Sequence, residues 1–190
     1  MIDTQLREAA KRVLELCRAR GLHVATAESC TGGLVAAALT EIPGSSDVVD
    51  RGFVTYSDDA KRAMLGVPAA TLKRHGAVSA QTAKAMAAGA LKNSRADLAV
   101  SITGIAGPGG GSEEKPVGTV HIALSSATGV KERRLHFPGD REMIRIQASQ
   151  AALDMVRTHF LYSNSRGSSQ HAASHGAPHG THPATTLKRS

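Results

Sequence analysis

Cysteine and aromatic residues are scarce in this chain of 190 residues. It contains two cysteines, two tyrosines, three phenylalanines and no tryptophan. Two cysteines cannot build a disulfide framework, so the expected compartment is the reducing cytoplasm. Because aromatic residues make up only 3% of the chain, the core has to be built from Ala, Val, Leu, Ile and Met.

Long apolar runs are also absent. No stretch approaches the roughly 20 apolar residues that a transmembrane helix needs. Residues 1–5 lack the basic and then apolar pattern of a secretory signal. The length suits one domain with its own core. The sequence therefore predicts a cytoplasmic, single-domain protein with no membrane partner.

A net charge of +7 raises the question of nucleic-acid binding. Three of the positive charges, Arg166, Lys188 and Arg189, lie in the last 28 residues, where no acidic residue occurs. The first 162 residues therefore carry only +4, and they contain no basic run interleaved with aromatic side chains. We expect no nucleic-acid partner and a general attraction for small anions.

Predicted strands and helices alternate along residues 1–162. Helical spacing or capping predicts helices at 3–20, 34–39, 80–93 and 141–161, with two short helices between Ser57 and Gly76. Strands are predicted at 22–26, 48–56 and 98–102, and a hairpin at 117–125 and 131–137. This order predicts an α/β fold, a three-layer α/β/α sandwich with a mixed, mostly parallel sheet.

Residues 163–190 form a tail rich in Ser, His, Gly and Thr that has almost nothing to bury, and we predict that it is disordered. Four histidines recur every three or four residues in it, as in a helical metal site. Glycines and prolines between them are incompatible with that helix. We therefore predict no dedicated metal site.

The turn at 27–33 has the composition of a reaction site. It joins a predicted strand to a predicted helix, and Ser29 and Cys30 in it are both candidate nucleophiles. A helix N-terminus lowers the pKa of a nearby thiol, which favours Cys30. The N–H groups of the turn, at Thr31, Gly32 and Gly33, are expected to face a ligand. The local sequence does not choose between the two nucleophiles.

A serine nucleophile needs a base, and no histidine lies in an obvious strand-end loop. Tyr56 ends the second predicted strand and Lys61 follows one turn into the next helix, so both side chains can reach the same sheet edge. To act as a base near pH 7, Lys61 needs a pKa well below its usual value of about 10.4, which burial can produce. Spacing alone favours a strand-end aromatic and a surface lysine.

A glycine-rich loop at 103–112 follows the third predicted strand. It is no P-loop, because no Gly-Lys-Ser/Thr follows, but its backbone can approach a phosphate or an oxyanion closely. A mobile surface loop is an equal alternative. Arg141 and Arg145 lie four residues apart near the start of the last helix, so they share one face and are candidates to clamp an anion.

Several motifs together resemble one known family. They lie in order at 27–33, 43–46, 51–57, 75–79, 101–110 and 113–120. The set is similar to the nicotinamide mononucleotide deamidases, the family of the CinA C-terminal domain. The resemblance runs from about Leu6 to Phe160, leaves the tail outside, and points to the stand-alone form without the N-terminal domain of longer CinA proteins.

The resemblance implies an amidohydrolase that converts nicotinamide mononucleotide to nicotinic acid mononucleotide and ammonia in pyridine nucleotide recycling. It implies that Ser29 is the nucleophile, Lys61 its base and Tyr56 an assisting group. It implies no metal, no organic cofactor and a homodimer. The alternative is a non-catalytic nucleotide-binding module of the same fold. The expected substrate-binding residues are Thr31, Gly32, Gly33, Ser46, Thr103, Gly104, Ala106, Gly107, Arg141 and Arg145.

Overall fold

The computed structural model of the protein describes residues 2–163. It contains six α-helices in this range, which are α1 (Thr4–Arg18), α2 (Leu34–Thr40), α3 (Asp58–Leu65), α4 (Ala69–His75), α5 (Ala80–Lys92) and α6 (Arg141–Ser163). The last helix includes Ser163, the first residue of the predicted tail. The remainder of that prediction, at 164–190, lies outside the described residues.

Five strands of the described part of the chain form one mixed sheet. They are β1 (Val24–Glu28), β2 (Val49–Val54), β3 (Leu98–Gly104), β4 (Thr119–Ser126) and β5 (Gly129–His136). The strand order is β2-β1-β3-β4-β5, in which β1 runs parallel to β2 and β3. The hairpin β4–β5 is antiparallel to its neighbours. The sheet is therefore parallel along β2, β1 and β3 and antiparallel on the side formed by β4 and β5.

Helices cover both faces of the sheet, and the alternation of strand side chains explains why. The larger core cluster joins α1, α2 and α6 to the bulky residues of β3 and β4, such as Val100, Ile102 and Ile122. On the other face, Ala27 and its strand neighbours pack against α3, α4 and α5 through residues such as Leu65 and Met86. The predicted three-layer α/β/α sandwich is confirmed.

The first strand begins two residues later than its apolar run predicts. Leu22 lies in the turn after α1, where its N–H donates to the Cys17 carbonyl at 3.0 Å. The N–H of His23 is held by the Asp97 carboxylate at 2.7 Å. The strand therefore starts at Val24 and runs to Glu28, so Glu28 is the last strand residue and Ser29 follows it directly.

The carboxyl ends of β2, β1 and β3 meet at one edge of the sheet, because these strands are parallel. Ser57 caps α3 just beyond β2 by accepting from the Ala60 N–H at 3.0 Å. Asp140 caps α6 in the same way through the Met143 N–H at 2.9 Å. The 27–33 turn, the glycine loop and the first turns of α3 and α6 therefore all lie at this edge.

Within residues 2–163, no helix is both long enough and apolar enough to span a bilayer.

Candidate active site

Ser29 and Lys61 face each other at this edge of the sheet. The Nζ atom of Lys61 lies 3.0 Å from the Oγ atom of Ser29. Ser29 follows Glu28 at the end of β1, and its N–H still donates to the Ile102 carbonyl of β3 at 2.9 Å. Ser29 is therefore fixed by sheet pairing, and Lys61 reaches it from α3 on the side of the sheet that this helix covers.

Lys61 is almost completely buried, with 1% of its surface exposed. Its Nζ donates to the Thr55 backbone carbonyl at 2.9 Å. None of the ion pairs among residues 2–163 includes Lys61. Burial lowers the pKa of the Lys61 amine, because the charged form loses water without gaining a carboxylate, and the charges of Asp58 and Cys30 oppose this only in part. The arrangement favours a neutral amine that can accept the Ser29 proton.

Cys30 has the opposite properties to those expected from its place before a helix. Burial raises the pKa of its thiol to about 12, against the effects of its own backbone N–H and of Lys61 and Arg145. The expectation that the helix N-terminus lowers this pKa is wrong, because loss of water is the larger effect. Cys30 is 6% exposed, and the Lys61 amine is hydrogen-bonded to Ser29 instead. The geometry favours the serine.

The backbone amides of the turn are used differently from the prediction. The Gly32 N–H donates to the Ser29 carbonyl at 3.0 Å, and the Gly33 N–H donates to the Glu28 carboxylate at 3.1 Å. These two amides are therefore closed to a ligand. Among the described residues, the Cys30 and Thr31 amides have no backbone or carboxylate acceptor.

Arg141 links the two sides of the cleft that opens above Ser29. One guanidinium nitrogen donates to the Gly107 carbonyl at 2.7 Å, and another donates to the Tyr56 hydroxyl at 2.8 Å. Tyr56 is 61% exposed and lies at the rim, in contact with Arg141 rather than hydrogen-bonded to Ser29. A positive charge therefore stands at the mouth of the cleft, between the glycine loop and Tyr56.

The cleft has a volume of about 260 Å³. Eight of the predicted site residues line it, namely Ser29, Tyr56, Lys61, Thr103, Gly104, Ala106, Gly107 and Arg141. The Thr103 hydroxyl donates to the Ala77 carbonyl at 2.8 Å, which ties the end of β3 to the segment before α5. Among residues 2–163, no group of three or more His, Cys, Asp or Glu is placed to hold a metal ion.

Five predicted binding residues do not line this cleft. Ser46 is exposed in a 3-10 turn that leads into the amino end of β2, whereas the cleft lies at the carboxyl ends of the strands. Arg145 donates to the Thr31 carbonyl at 2.9 Å and so supports the turn from behind. Thr31 is fully buried, and Gly32 and Gly33 lie at the start of α2. The geometry of one chain does not support a ligand-binding role for Ser46. It also does not support an anion clamp formed by Arg141 and Arg145 together.

Sequence reasoning missed some residues of the site. Ala77 and Val78 line the cleft, and the Thr55 carbonyl holds the lysine. Glu28 was predicted only as a member of the 27–33 motif, with no role of its own. Its buried carboxylate accepts from three backbone amides at the start of α2. An acidic residue a few residues before a helix is a usable signal for such a cap, since anions are stabilised at helix N-termini.

The chain is similar in sequence to proteins of one known family. The sequence profile of the CinA C-terminal domain matches residues 6–160. The chain belongs to the CinA C-terminal domain family. A family member of Escherichia coli strain K12, named nicotinamide-nucleotide amidohydrolase PncC, is 54% identical over 85% of this chain and 98% of its own length. A CinA-like protein of Citrifermentans bemidjiense is 49% identical, and there the match spans only 37% of the relative's length.

Solved structures of the CinA family share the fold. A competence/damage inducible protein from Agrobacterium tumefaciens is 54% identical, with a TM-score of 0.81 over 83% of this chain and 97% of that chain. The competence damage-inducible protein A from Klebsiella pneumoniae is 38% identical, with a TM-score of 0.80 over 83% of this chain and 98% of that chain. The chain therefore corresponds to almost the whole of each of these structures.

Proposed function

We propose that the protein is a nicotinamide-nucleotide amidohydrolase that uses Ser29 as nucleophile and Lys61 as base. The observation that carries the mechanism is the 3.0 Å contact between Lys61 Nζ and Ser29 Oγ at a buried amine with no carboxylate partner. The name of the Escherichia coli relative, which matches almost end to end, supports the substrate. The product would be the nucleotide acid, released with ammonia.

The proposed reaction begins with a proton transfer. Neutral Lys61 takes the proton of the Ser29 hydroxyl while Oγ bonds to the carboxamide carbon. The tetrahedral intermediate collapses when protonated Lys61 gives the proton to the leaving nitrogen, so ammonia departs and an ester to Ser29 remains. Water then attacks this ester, again losing a proton to Lys61, and Ser29 regains a proton as the acid leaves. Proton balance therefore needs no group besides the lysine.

The same cleft offers groups for the rest of a mononucleotide. Arg141 supplies a positive charge at the mouth, and the Ala106 and Gly107 amides of the glycine loop have no acceptor among residues 2–163. Such amides and a guanidinium are suited to a phosphate or an oxyanion. We propose that the phosphate lies towards Arg141 and the carboxamide towards Ser29.

An ammonia-release assay tests this function. Wild-type protein should release ammonia from nicotinamide mononucleotide faster than from nicotinamide riboside, because the riboside lacks the phosphate. Ser29→Ala should abolish release while the circular dichroism spectrum and Tm stay near wild type. Ser94→Ala is the matched control, since the hydroxyl of this serine contacts only the Leu91 carbonyl and the Ala96 N–H at the end of α5, among the described residues. Full activity in Ser29→Ala would reject the serine mechanism, and tight binding without turnover would indicate a nucleotide-binding module.

A further inference from the structure

The carboxylate of Glu28 lies directly before the proposed nucleophile and is completely buried. It accepts from the N–H groups of Gly33 at 3.1 Å, Val35 at 3.1 Å and Ala36 at 2.9 Å. No Lys or Arg pairs with it among the ion pairs of the described residues. Its negative charge is therefore stabilised by the amides and the helix dipole at the start of α2, together with the Thr26 hydroxyl, which donates to it at 3.4 Å.

Strand alternation explains how this cap is linked to the reaction site. Successive residues of β1 point to opposite faces of the sheet, so Glu28 faces α2 while Ser29 faces Lys61 on α3. The Glu28 backbone carbonyl also accepts from the Thr55 N–H at 2.8 Å, and the Thr55 carbonyl holds Lys61. One residue thus contacts both the helix after Ser29 and the segment that positions the base.

We infer that Glu28 is a positioning residue for Ser29, and this inference rests on the proposed function. Its carboxylate occupies the Gly33, Val35 and Ala36 amides, so the start of α2 is closed to a substrate anion. Among residues 2–163, the Cys30 amide, directly after Ser29 at the cleft, has no other backbone or carboxylate acceptor. By fixing the start of α2, Glu28 keeps this amide at the cleft beside Ser29, where an oxyanion forms.

Glu28→Gln is the variant that tests the inference. The glutamine oxygen still accepts a hydrogen bond, but its NH₂ group meets amide N–H groups that now lack an acceptor. We expect kcat for nicotinamide mononucleotide to fall about 10- to 100-fold, because one oxyanion donor alone is typically worth about 10²–10³. The KM should change by less than about threefold, since Arg141 and the glycine loop are untouched.

A substrate-independent readout separates this inference from the proposed function. A fluorophosphonate probe should label wild-type Ser29, detected by mass spectrometry, and the labelling rate should fall in Glu28→Gln by a factor similar to that for kcat. Asp3→Asn is the matched control, because Asp3 caps α1 through the Gln5 and Leu6 amides, both at 3.0 Å, away from the cleft. It should lower Tm without changing labelling or kcat.

The outcomes are distinct. Wild-type labelling and kcat in a folded Glu28→Gln protein with lowered Tm would show that Glu28 is only a helix cap and would overturn the inference. If wild-type Ser29 is labelled but no ammonia is released, the proposed function fails and the labelling rates still decide the role of Glu28. A wild-type Ser29 that neither reacts with the probe nor turns over substrate overturns both. If Glu28→Gln does not fold, Glu28→Asp, which keeps the charge on a shorter side chain, should show the same loss.

Discussion

At position 61, a lysine side chain loses almost all contact with water without gaining a carboxylate partner. In most folded proteins such a group either pairs with an acid or stays at the surface, because an unpaired buried charge is costly. Among the described residues, the groups hydrogen-bonded to the Lys61 amine are the Thr55 carbonyl and the Ser29 hydroxyl. Neither group carries a charge, so neither favours the charged form of the amine as a carboxylate would.

The lowered pKa of Lys61 predicts the pH dependence of activity. Only the neutral amine accepts the Ser29 proton, so kcat/KM should fall as the pH drops below the pKa of Lys61 and should level off above it. Lys61→Arg should lose at least about 10²-fold in kcat at every pH, because a guanidinium stays protonated. Ammonia release measured from pH 6 to 10 checks both statements. A rate that is independent of pH, or retained in Lys61→Arg, would exclude Lys61 as the base.

Cys30 should be dispensable for the chemistry. Its thiol pKa of about 12 leaves almost no thiolate at neutral pH, and its side chain is buried. Cys30→Ser should therefore keep ammonia release within about threefold of wild type, a change of less than about 1 kcal/mol in the activation free energy. Iodoacetamide should leave the wild-type rate unchanged. Loss of activity in both experiments would instead support a cysteine nucleophile.

At the scale of elements, the strand–turn–helix unit at 24–40 could be predicted, and so could the caps of α3 and α5 at Ser57 and Ser79. These features depend on nearest neighbours in sequence. The hydrogen-bond acceptors of the backbone amides in the turn could not be predicted, because they depend on the direction of the Glu28 side chain at the end of β1. The apolar run predicts a strand that ends at residue 26 and places Glu28 in the turn, whereas β1 runs to Glu28, so strand alternation sets the direction of this side chain.

Gly107 controls the approach of the glycine loop to the cleft. It has a φ of +82°, and a Cβ atom there would lie 2.7 Å from a Val117 methyl group. Gly107→Ala should therefore displace the loop, together with the carbonyl that Arg141 holds, and should raise KM for the mononucleotide by about tenfold or more, equivalent to about 1.4 kcal/mol.

Gly21→Ala is the control for the Gly107 experiment. Gly21 also has a positive φ, +63°, but a Cβ atom there meets nothing within 4 Å. Both variants should lose stability by roughly 1–2 kcal/mol from the left-handed backbone, and only Gly107→Ala should lose affinity. Steady-state kinetics and thermal unfolding separate the two effects. Equal KM values in both variants would contradict a role for the loop in binding.

At the scale of the whole molecule, the layered architecture could be predicted because buried strands, amphipathic helices and turn residues alternate along the chain. The position of Ser46 could not be predicted in this way. Its motif lies between two segments that do reach the site, yet the chain there returns to the opposite edge of the sheet to begin β2. Nearness in sequence does not imply nearness in space here, because the chain crosses from one edge of the sheet to the other between the 27–33 turn and β2.

The buried lysine should also be visible in the stability of the whole molecule. The unfolded chain binds a proton at position 61 up to about pH 10.4, whereas the folded chain releases it at lower pH. Between these two pKa values the unfolded state holds more protons, so the wild-type free energy of unfolding rises with pH there and the contribution of Lys61 is most unfavourable below the folded pKa. Lys61→Met, of similar length and without charge, lacks this dependence.

We therefore expect Lys61→Met to be inactive and yet more stable than wild type at pH 6, by about 1 kcal/mol, with the difference shrinking as the pH rises towards 10. Urea unfolding at several pH values measures it, and Lys92→Met at the exposed end of α5 is the control, which should show no such trend. If wild type instead has a higher free energy of unfolding than Lys61→Met, and the difference is largest at low pH, Lys61 stays charged in the folded protein. The pH profile of stability would then contradict the base assigned to Ser29 without any substrate being added.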